Sequence, residues 1–99
     1  MKIIHIIEEN IWKKVNKQPL YFADSLKEQG FIHCCLPEQV DFVVKNWFPE
    51  KKNLLLLEID TEKLDSNLVF ENHNNGSEAF PHVYGPINSS AIIACIPLI

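Results

Sequence analysis

The chain has 99 residues, with nine lysines, thirteen acidic residues and no arginine, which gives a net charge of −4 with histidine neutral. Its length and its apolar fraction of 46% predict one globular domain over residues 1–99 and exclude a disordered chain. The acidic balance disfavours nonspecific binding to nucleic acid, and the lack of arginine excludes a guanidinium clamp on phosphate or carboxylate groups.

Strand and helix patterns alternate in the first half of the chain. They predict a strand at 2–7, a helix at 8–17, a helix at 24–29, a strand at 31–35 and a helix of about ten residues that Pro37 opens. The first helix has an apolar stripe at Ile11, Trp12 and Val15, and the last has an inner face at Val40, Val43, Val44 and Trp47. We expect Asp24 or Ser25 to cap the middle helix, which Gly30 ends.

The second half of the chain is richer in strands. Residues 54–59 are too few and too apolar for a surface helix and predict a central strand buried on both faces. The other predicted elements are a helical turn at 60–64, a strand at 68–70, a loop at 72–77, an extended segment at 80–85 and a buried strand at 91–96. This order of strands and short helices predicts a compact α+β domain.

Nothing in the sequence has the pattern of a targeting or membrane segment. The first residues lack the apolar core of a signal peptide, and no apolar run approaches the ~18 residues of a membrane span. Three cysteines, of which Cys34 and Cys35 are adjacent, make a poor disulfide framework. We therefore expect a cytoplasmic protein with no membrane partner, either a monomer or a weak homodimer.

Three of the four histidines interrupt apolar or aromatic runs. His5, His33 and His82 stand within IIHII, FIHCC and FPHVY, whereas His73 lies among Asn and Gly and is expected to be solvated. A buried imidazole needs a hydrogen-bond partner, so each of the three alone is best explained as a structural histidine. Three on separate strands favour one shared site, and imidazole suits proton transfer near neutral pH.

Metal ligation and cysteine chemistry have weaker support. No HxxxH or CxxC spacing indicates a metal site. Cys34 and Cys35 lie near imidazoles, but free cysteine usually packs as a small hydrophobe. Cys95 is expected in the core.

The remaining polar candidates each have a structural alternative. Glu71 and Glu78 can approach His82 across a hairpin, where a carboxylate beside an imidazole supports acid–base chemistry, or they can be solvated. Ser25 is more often a helix cap than a nucleophile, because no GxSxG turn surrounds it.

Residues 30–34 (GFIHC) and 80–86 (FPHVYGP) carry a resemblance that extends over nearly the whole chain. Together with His5, Trp12, Tyr21, Ser25 and Gln39, they resemble a family of small bacterial proteins of unknown function. That family looks like a minimal ADP-ribosyltransferase fold, which implies a split β-sandwich of two small sheets with a cleft for a nicotinamide dinucleotide. It is also similar in layout to RNA 2′-phosphotransferases, whose two strand histidines match His5 and His33.

The resemblance implies roles for eight residues. The implied catalytic residues are His5, His33 and Glu78, with His5 on the ribose hydroxyls and Glu78, or else Glu71, beside the cationic sugar centre. The implied ligand-binding residues are Tyr21, Ser25, Cys34, His82 and Tyr84, with one tyrosine stacked on the nicotinamide. The resemblance implies NAD as a possible cofactor and a nucleotide or sugar as the ligand, and the residue spacing leads us to expect no metal.

Three functions are compatible with these observations. The first is a transferase or binding protein for NAD or an ADP-ribose-like nucleotide, which predicts that His5, Ser25, His33 and His82 converge on one pocket. The second is a non-catalytic module that binds a small molecule or a partner, which the lack of arginine favours. The third is a histidine-dependent hydrolase or a metal protein.

Overall fold

The computed structural model describes residues 1–72 and 78–98 of the chain. Its strands are β1 (Lys2–Glu8), β2 (Leu20–Tyr21), β3 (Ile32–His33), β4 (Leu54–Asp60), β5 (Asn67–Glu71), β6 (Phe80–Tyr84), β7 (Ile87–Asn88) and β8 (Ile92–Pro97). Its α-helices are α1 (Glu9–Val15), α2 (Asp24–Gln29) and α3 (Val40–Trp47), and 3₁₀ turns lie at Pro37–Gln39, Thr61–Lys63 and Ser89–Ala91. In the described residues, no helix is long and apolar enough to cross a membrane.

The first sheet, β1–β4–β8, is the scaffold of the domain. Its central strand β4 pairs antiparallel with both neighbours, and Ile3, Leu57 and Ile59 are completely buried. The predicted central strand at 54–59 is confirmed, although Leu56 and Glu58 are only half-buried. Burial of these aliphatic side chains, at roughly 25 cal/mol per Å² of apolar surface, is the main stabilising term here.

Two further antiparallel sheets lie beside the first. The second sheet is β2–β7, and the third sheet is β3–β6–β5. The backbones of Ile4 in β1 and Cys35, just after β3, exchange two hydrogen bonds of 2.7 and 2.8 Å, which join the first and third sheets at one point. The predicted α+β domain is confirmed, but the described residues form three small sheets where two were expected.

The two faces of β1 pack on different clusters. Ile3 and Ile7 belong to the main core, which also contains Ile32 and Val83 of the third sheet. Ile4 and Ile6 instead belong to a smaller apolar cluster with Val40 of α3. Strand β1 therefore lies between the core and the space that α3 covers.

Helix α2 has the predicted bounds of 24–29, whereas α1 and α3 are shorter than predicted. Helix α1 begins at Glu9 because Glu8 still pairs in the ladder with β4, and Ile11 is exposed whereas Trp12 and Val15 pack on the core. The N-cap position of α2 is Ala23, so the expectation that Asp24 or Ser25 caps it is wrong. Gly30 does end α2, with a left-handed φ of 89°.

Two predictions about burial are wrong. Trp47 on the expected inner face of α3 is 66% exposed, because α3 covers an open cleft there and not a closed core. Strand β8 is an edge strand in which Ile93 and Cys95 are exposed, so Cys95 is not a core residue. In both cases the apolar side chain lies on an element that has another element packed against only one of its sides, as far as the described residues show.

Other differences concern element length. Strand β3 is shorter than the predicted 31–35, and β2 and β7 have two residues each, which is too short for a period-2 pattern to appear. His73 and most of the predicted loop at 72–77 lie outside the described residues.

Candidate functional site

A cavity lies where β1 and β3 separate beyond their single bridge. Its volume is about 700 Å³. Its polar lining consists of His5, Ser25, Gln29, His33, Glu78 and His82. Its apolar lining consists of Ile4, Ile6, Cys34, Cys35, Phe42, Val43, Trp47, Phe48 and Phe80. The cavity thus has a histidine-containing end and an aromatic wall formed largely by α3.

His5 spans the separation between β1 and β3. Its Nδ1 lies 2.7 Å from the carbonyl oxygen of His33, and its Nε2 lies 2.9 Å from the hydroxyl of Tyr21. Because a carbonyl only accepts, Nδ1 carries the proton and donates, and Nε2 accepts from the Tyr21 hydroxyl. Both ring nitrogens of His5 are therefore engaged inside the protein.

Burial determines the charge state of this pair. It lowers the pKa of His5 to about 4, so the ring is neutral near pH 7. Burial also raises the pKa of Tyr21 above its ordinary value, so the phenol keeps its proton. The arrangement is a neutral hydrogen-bonded strut that joins β1 of the first sheet to β2 of the second and β3 of the third.

The other two site histidines face each other across the third sheet. His33 in β3 pairs in register with His82 in β6, and their ring centroids are 5.5 Å apart. The side chain of His33 is exposed, and its Nε2 lies 2.5 Å from the side-chain oxygen of Gln29. The side chain of His82, in contrast, is only 1% exposed. Phe31 stacks on His82 at 4.1 Å and meets His33 edge-on, which fixes both rings.

Glu71 binds the far side of the His82 ring. Its Oε1 accepts from Nδ1 of His82 at 2.8 Å and from the hydroxyl of Tyr84 at 2.5 Å. The hydrogen bond to Glu71 raises the pKa of Tyr84. Neither Glu71 nor Tyr84 lines the cavity, and the hydrogen bond to His82 connects this carboxylate to a residue that does.

Glu78 lies on the cavity rim beside a buried glutamine. Gln39 accepts from the backbone N–H of Leu36 at 2.9 Å and donates to the carbonyl oxygen of Ala79 at 3.1 Å. Its side-chain nitrogen also lies 3.4 Å from Oε1 of Glu78. Gln39 thereby ties the segment that carries Glu78 to the turn that leads into α3.

The cysteines at the cavity are protonated thiols. Burial raises the pKa of Cys35 to about 12 and raises that of Cys34 as well. Because the thiolate is the nucleophile, neither group suits nucleophilic catalysis near neutral pH. Within residues 1–72 and 78–98, no group of three His, Cys, Asp or Glu side chains could hold a metal ion.

The structure brings most of the predicted site residues together. His5, Ser25, His33, Cys34, Glu78 and His82 line the cavity, whereas Tyr21 lies behind His5 and Tyr84 lies behind His82. Sequence reasoning missed Gln29, Phe31 and Phe42 as parts of the site. Gln29 offered one signal, since it is the last residue of a short helix directly before the GFIHC segment.

The structure is similar to that of protein CC0527 from Caulobacter crescentus, a structural genomics target. A crystal structure of CC0527 matches with a TM-score of 0.85 at 28% identity, over 100% of this chain and 87% of that one. A double-mutant form matches with a TM-score of 0.85 at 27% identity over the same shares. A solution NMR structure matches with a TM-score of 0.82 at 28% identity, over 98% and 84%.

A comparison with curated proteins finds no match. The resemblance to ADP-ribosyltransferases is not confirmed by these comparisons and stays a prediction. The family described as "Protein of unknown function (DUF952)" matches residues 6–95, which is nearly the whole chain. The chain therefore belongs to the DUF952 family.

Proposed function

We propose that the cavity binds a small, nucleoside-like molecule, with an aromatic ring on the wall formed by α3 and hydroxyl groups at the histidine end. The observation that carries this proposal is the presence of both surfaces in one cavity of about 700 Å³. Binding sites for small molecules are typically concave and mostly apolar, with a few polar groups that fix orientation.

The aromatic wall supports the ring part of the ligand. Phe42 and Trp47 are 50% and 66% exposed, and Phe42 lies nearly parallel to Phe80 at a centroid distance of 6.2 Å. Large aromatic side chains exposed beside a cavity are costly unless something covers them. A planar ring would cover these side chains and gain stacking energy.

The polar end supports the hydroxyl groups. The imidazole of His33 and the amide of Gln29 are exposed at the cavity, and Ser25 adds a hydroxyl one turn earlier on α2. Each can exchange its present hydrogen bonds for bonds to a sugar hydroxyl. His5 contributes indirectly, since both of its nitrogens are engaged and its hydrogen bond to the His33 carbonyl holds that strand in place.

NAD fits this cavity only in part. Its nucleoside portions match the two surfaces, but a diphosphate needs cationic partners, and none of the described residues that line the cavity is a lysine. His5 is neutral and does not replace one. NAD or an ADP-ribose-like nucleotide would therefore place its diphosphate outside the cavity, and we derive no transfer step from it.

The proposal favours a non-catalytic binding module over a transferase or a hydrolase. The buried thiols are protonated, and Glu71 does not line the cavity. Incubation of the protein with NAD is accordingly expected to release no nicotinamide above the buffer blank. Release at a steady rate that depends on Glu78 would favour the transferase.

The test is a titration of isotope-labelled protein with adenosine, ADP-ribose and NAD, followed through the histidine ring signals by NMR. We expect His33 and His82 to shift and His5 to shift less, with adenosine bound at least as tightly as ADP-ribose. If none of the three compounds moves any of these signals at millimolar concentration, the proposal is wrong.

A matched pair of variants distinguishes the effect of the aromatic wall on binding from the effect of losing any exposed phenylalanine. Phe42 lines the cavity, whereas Phe22 is 60% exposed and does not line it. Phe42→Leu is expected to weaken adenosine binding about fivefold, since one aromatic contact is worth roughly 1 kcal/mol. Phe22→Leu should leave the affinity unchanged, and equal losses in both variants would contradict the proposed wall.

A further inference from the structure

We infer that the cavity selects ligands whose aromatic part bears a positive charge, such as a ring or benzylic group with a quaternary nitrogen. This inference rests on the proposed function and narrows it to one ligand class. It is carried by two features that line the same cavity: exposed aromatic side chains and the carboxylate of Glu78.

The aromatic faces are suited to a cation. Trp47, Phe42 and Phe80 line the same cavity, and the first two present large exposed surfaces to it. The face of an aromatic ring carries negative potential and attracts a cation, and tryptophan does so more strongly than tyrosine or phenylalanine. A neutral ring would gain only the stacking and burial terms.

Apart from the histidines, the described lining of the cavity contains one ionisable oxygen group, the carboxylate of Glu78, and no cationic side chain. Within residues 1–72 and 78–98, the lining includes Glu78 but no lysine, and the chain contains no arginine. Glu78 directly precedes the segment that Gln39 holds in place, and its carboxylate lies 3.4 Å from the buried Gln39 amide. The carboxylate is therefore kept near the aromatic wall.

The charge of the whole molecule acts in the same direction. The net charge is −4, which favours the approach of cations over that of anions. His5 adds no positive charge, because burial keeps its ring neutral near pH 7. An anionic aromatic ligand would meet no lysine or arginine in the described lining and an unfavourable net charge.

The experiment uses three probes that share a benzyl or phenyl group and differ in charge: benzyltrimethylammonium, benzyl alcohol and benzoate. Each is titrated into ¹⁵N-labelled protein, and the indole N–H signal of Trp47 is followed. Trp12 is the internal reference, since it packs against Tyr21 and does not line the cavity. We expect the cation to bind about fivefold more tightly than the alcohol and benzoate to bind most weakly.

A charge-matched pair of variants tests the role of Glu78. Glu78→Gln should weaken binding of the cation about threefold and leave benzyl alcohol unchanged. Glu62→Gln removes the same charge from an exposed residue that does not line the cavity, so it should change neither affinity. Equal losses in the two variants would assign the preference to net charge and overturn the role of Glu78.

The outcomes distinguish this inference from the proposed function on which it rests. Binding of adenosine with equal affinities for the three probes overturns the charge preference and leaves the nucleoside site intact. Tightest binding of benzoate overturns the preference as well. If neither adenosine nor any probe shifts Trp47 or the histidines, the proposed function itself fails.

Discussion

The first and third sheets each contain three antiparallel strands, yet their side chains differ in kind. The first sheet is held by a long ladder and by aliphatic residues such as Leu57 and Ile59, which are completely buried. The third sheet has a short β3 and carries His33, His82 and Glu71 in contact with one another or with aromatic rings. The difference shows a division between the sheets: the first is scaffold, whereas the third combines a share of the core with the candidate chemistry, and His5 links the two.

The largest expected effect is in the first sheet. Leu57→Ala removes a completely buried side chain from the central strand and should lower the free energy of unfolding by about 3 kcal/mol. Leu68→Ala is the matched change in β5 of the third sheet, where the side chain is only partly buried, and should cost about 1 kcal/mol. Denaturant unfolding measures both, and equal losses would contradict the division between the sheets.

The second effect concerns His5, which joins the sheets and senses pH. Its pKa is about 4 when folded and 6.5 in the reference state, so the unfolded chain binds the proton more tightly. The stability due to the neutral ring is present above pH 6.5 and is lost as pH falls towards 4. The expected loss between about pH 7 and about pH 5 is about 2 kcal/mol.

A variant at the same position isolates this contribution. His5→Asn keeps a side-chain N–H for the His33 carbonyl but does not titrate, so its stability should fall about 2 kcal/mol less than that of the wild type over the same pH range. Urea unfolding at several pH values gives both slopes. Identical slopes would show that His5 is not held neutral by burial.

The fold could be predicted from the sequence where burial leaves a pattern. The uniformly apolar run at 54–59 could only be a buried strand, and Gly30 marked a helix end that needs a left-handed residue. Apolar side chains such as Trp47 and Cys95 were misassigned, because hydrophobicity does not reveal which side of an element lacks a neighbour. Strands β2 and β7 were missed because two residues show no period.

The sequence predicts which residues belong to the site better than it predicts what each residue does there. A histidine within an apolar run must have a partner, and this reasoning brought His5, His33 and His82 to one cavity. The partners themselves are set by tertiary structure: the His33 carbonyl occupies one nitrogen of His5, and Glu71 binds His82 from outside the cavity. No local spacing encodes either contact.

A smaller effect is expected where Gln39 connects the third sheet to α3. Gln39→Ala removes the acceptor for the Leu36 N–H and the donor to the Ala79 carbonyl, and should cost about 1 kcal/mol. Gln39→Glu restores the acceptor but not the donor and places a second negative charge near Glu78. If Gln39→Glu is as stable as the wild type in denaturant unfolding, Gln39 does not hold the segment that carries Glu78.

The smallest effect on stability is expected at His33, the exposed histidine of the third sheet. His33→Ala leaves the backbone carbonyl that binds His5 in place and should change the free energy of unfolding by less than about 0.5 kcal/mol. The same variant should weaken adenosine binding about fivefold, since it removes one ligand hydrogen bond. Parallel unfolding and NMR titrations measure the two quantities. A large loss of stability with unchanged affinity would place His33 with the scaffold, because a residue that binds the ligand must change the affinity when its side chain is removed.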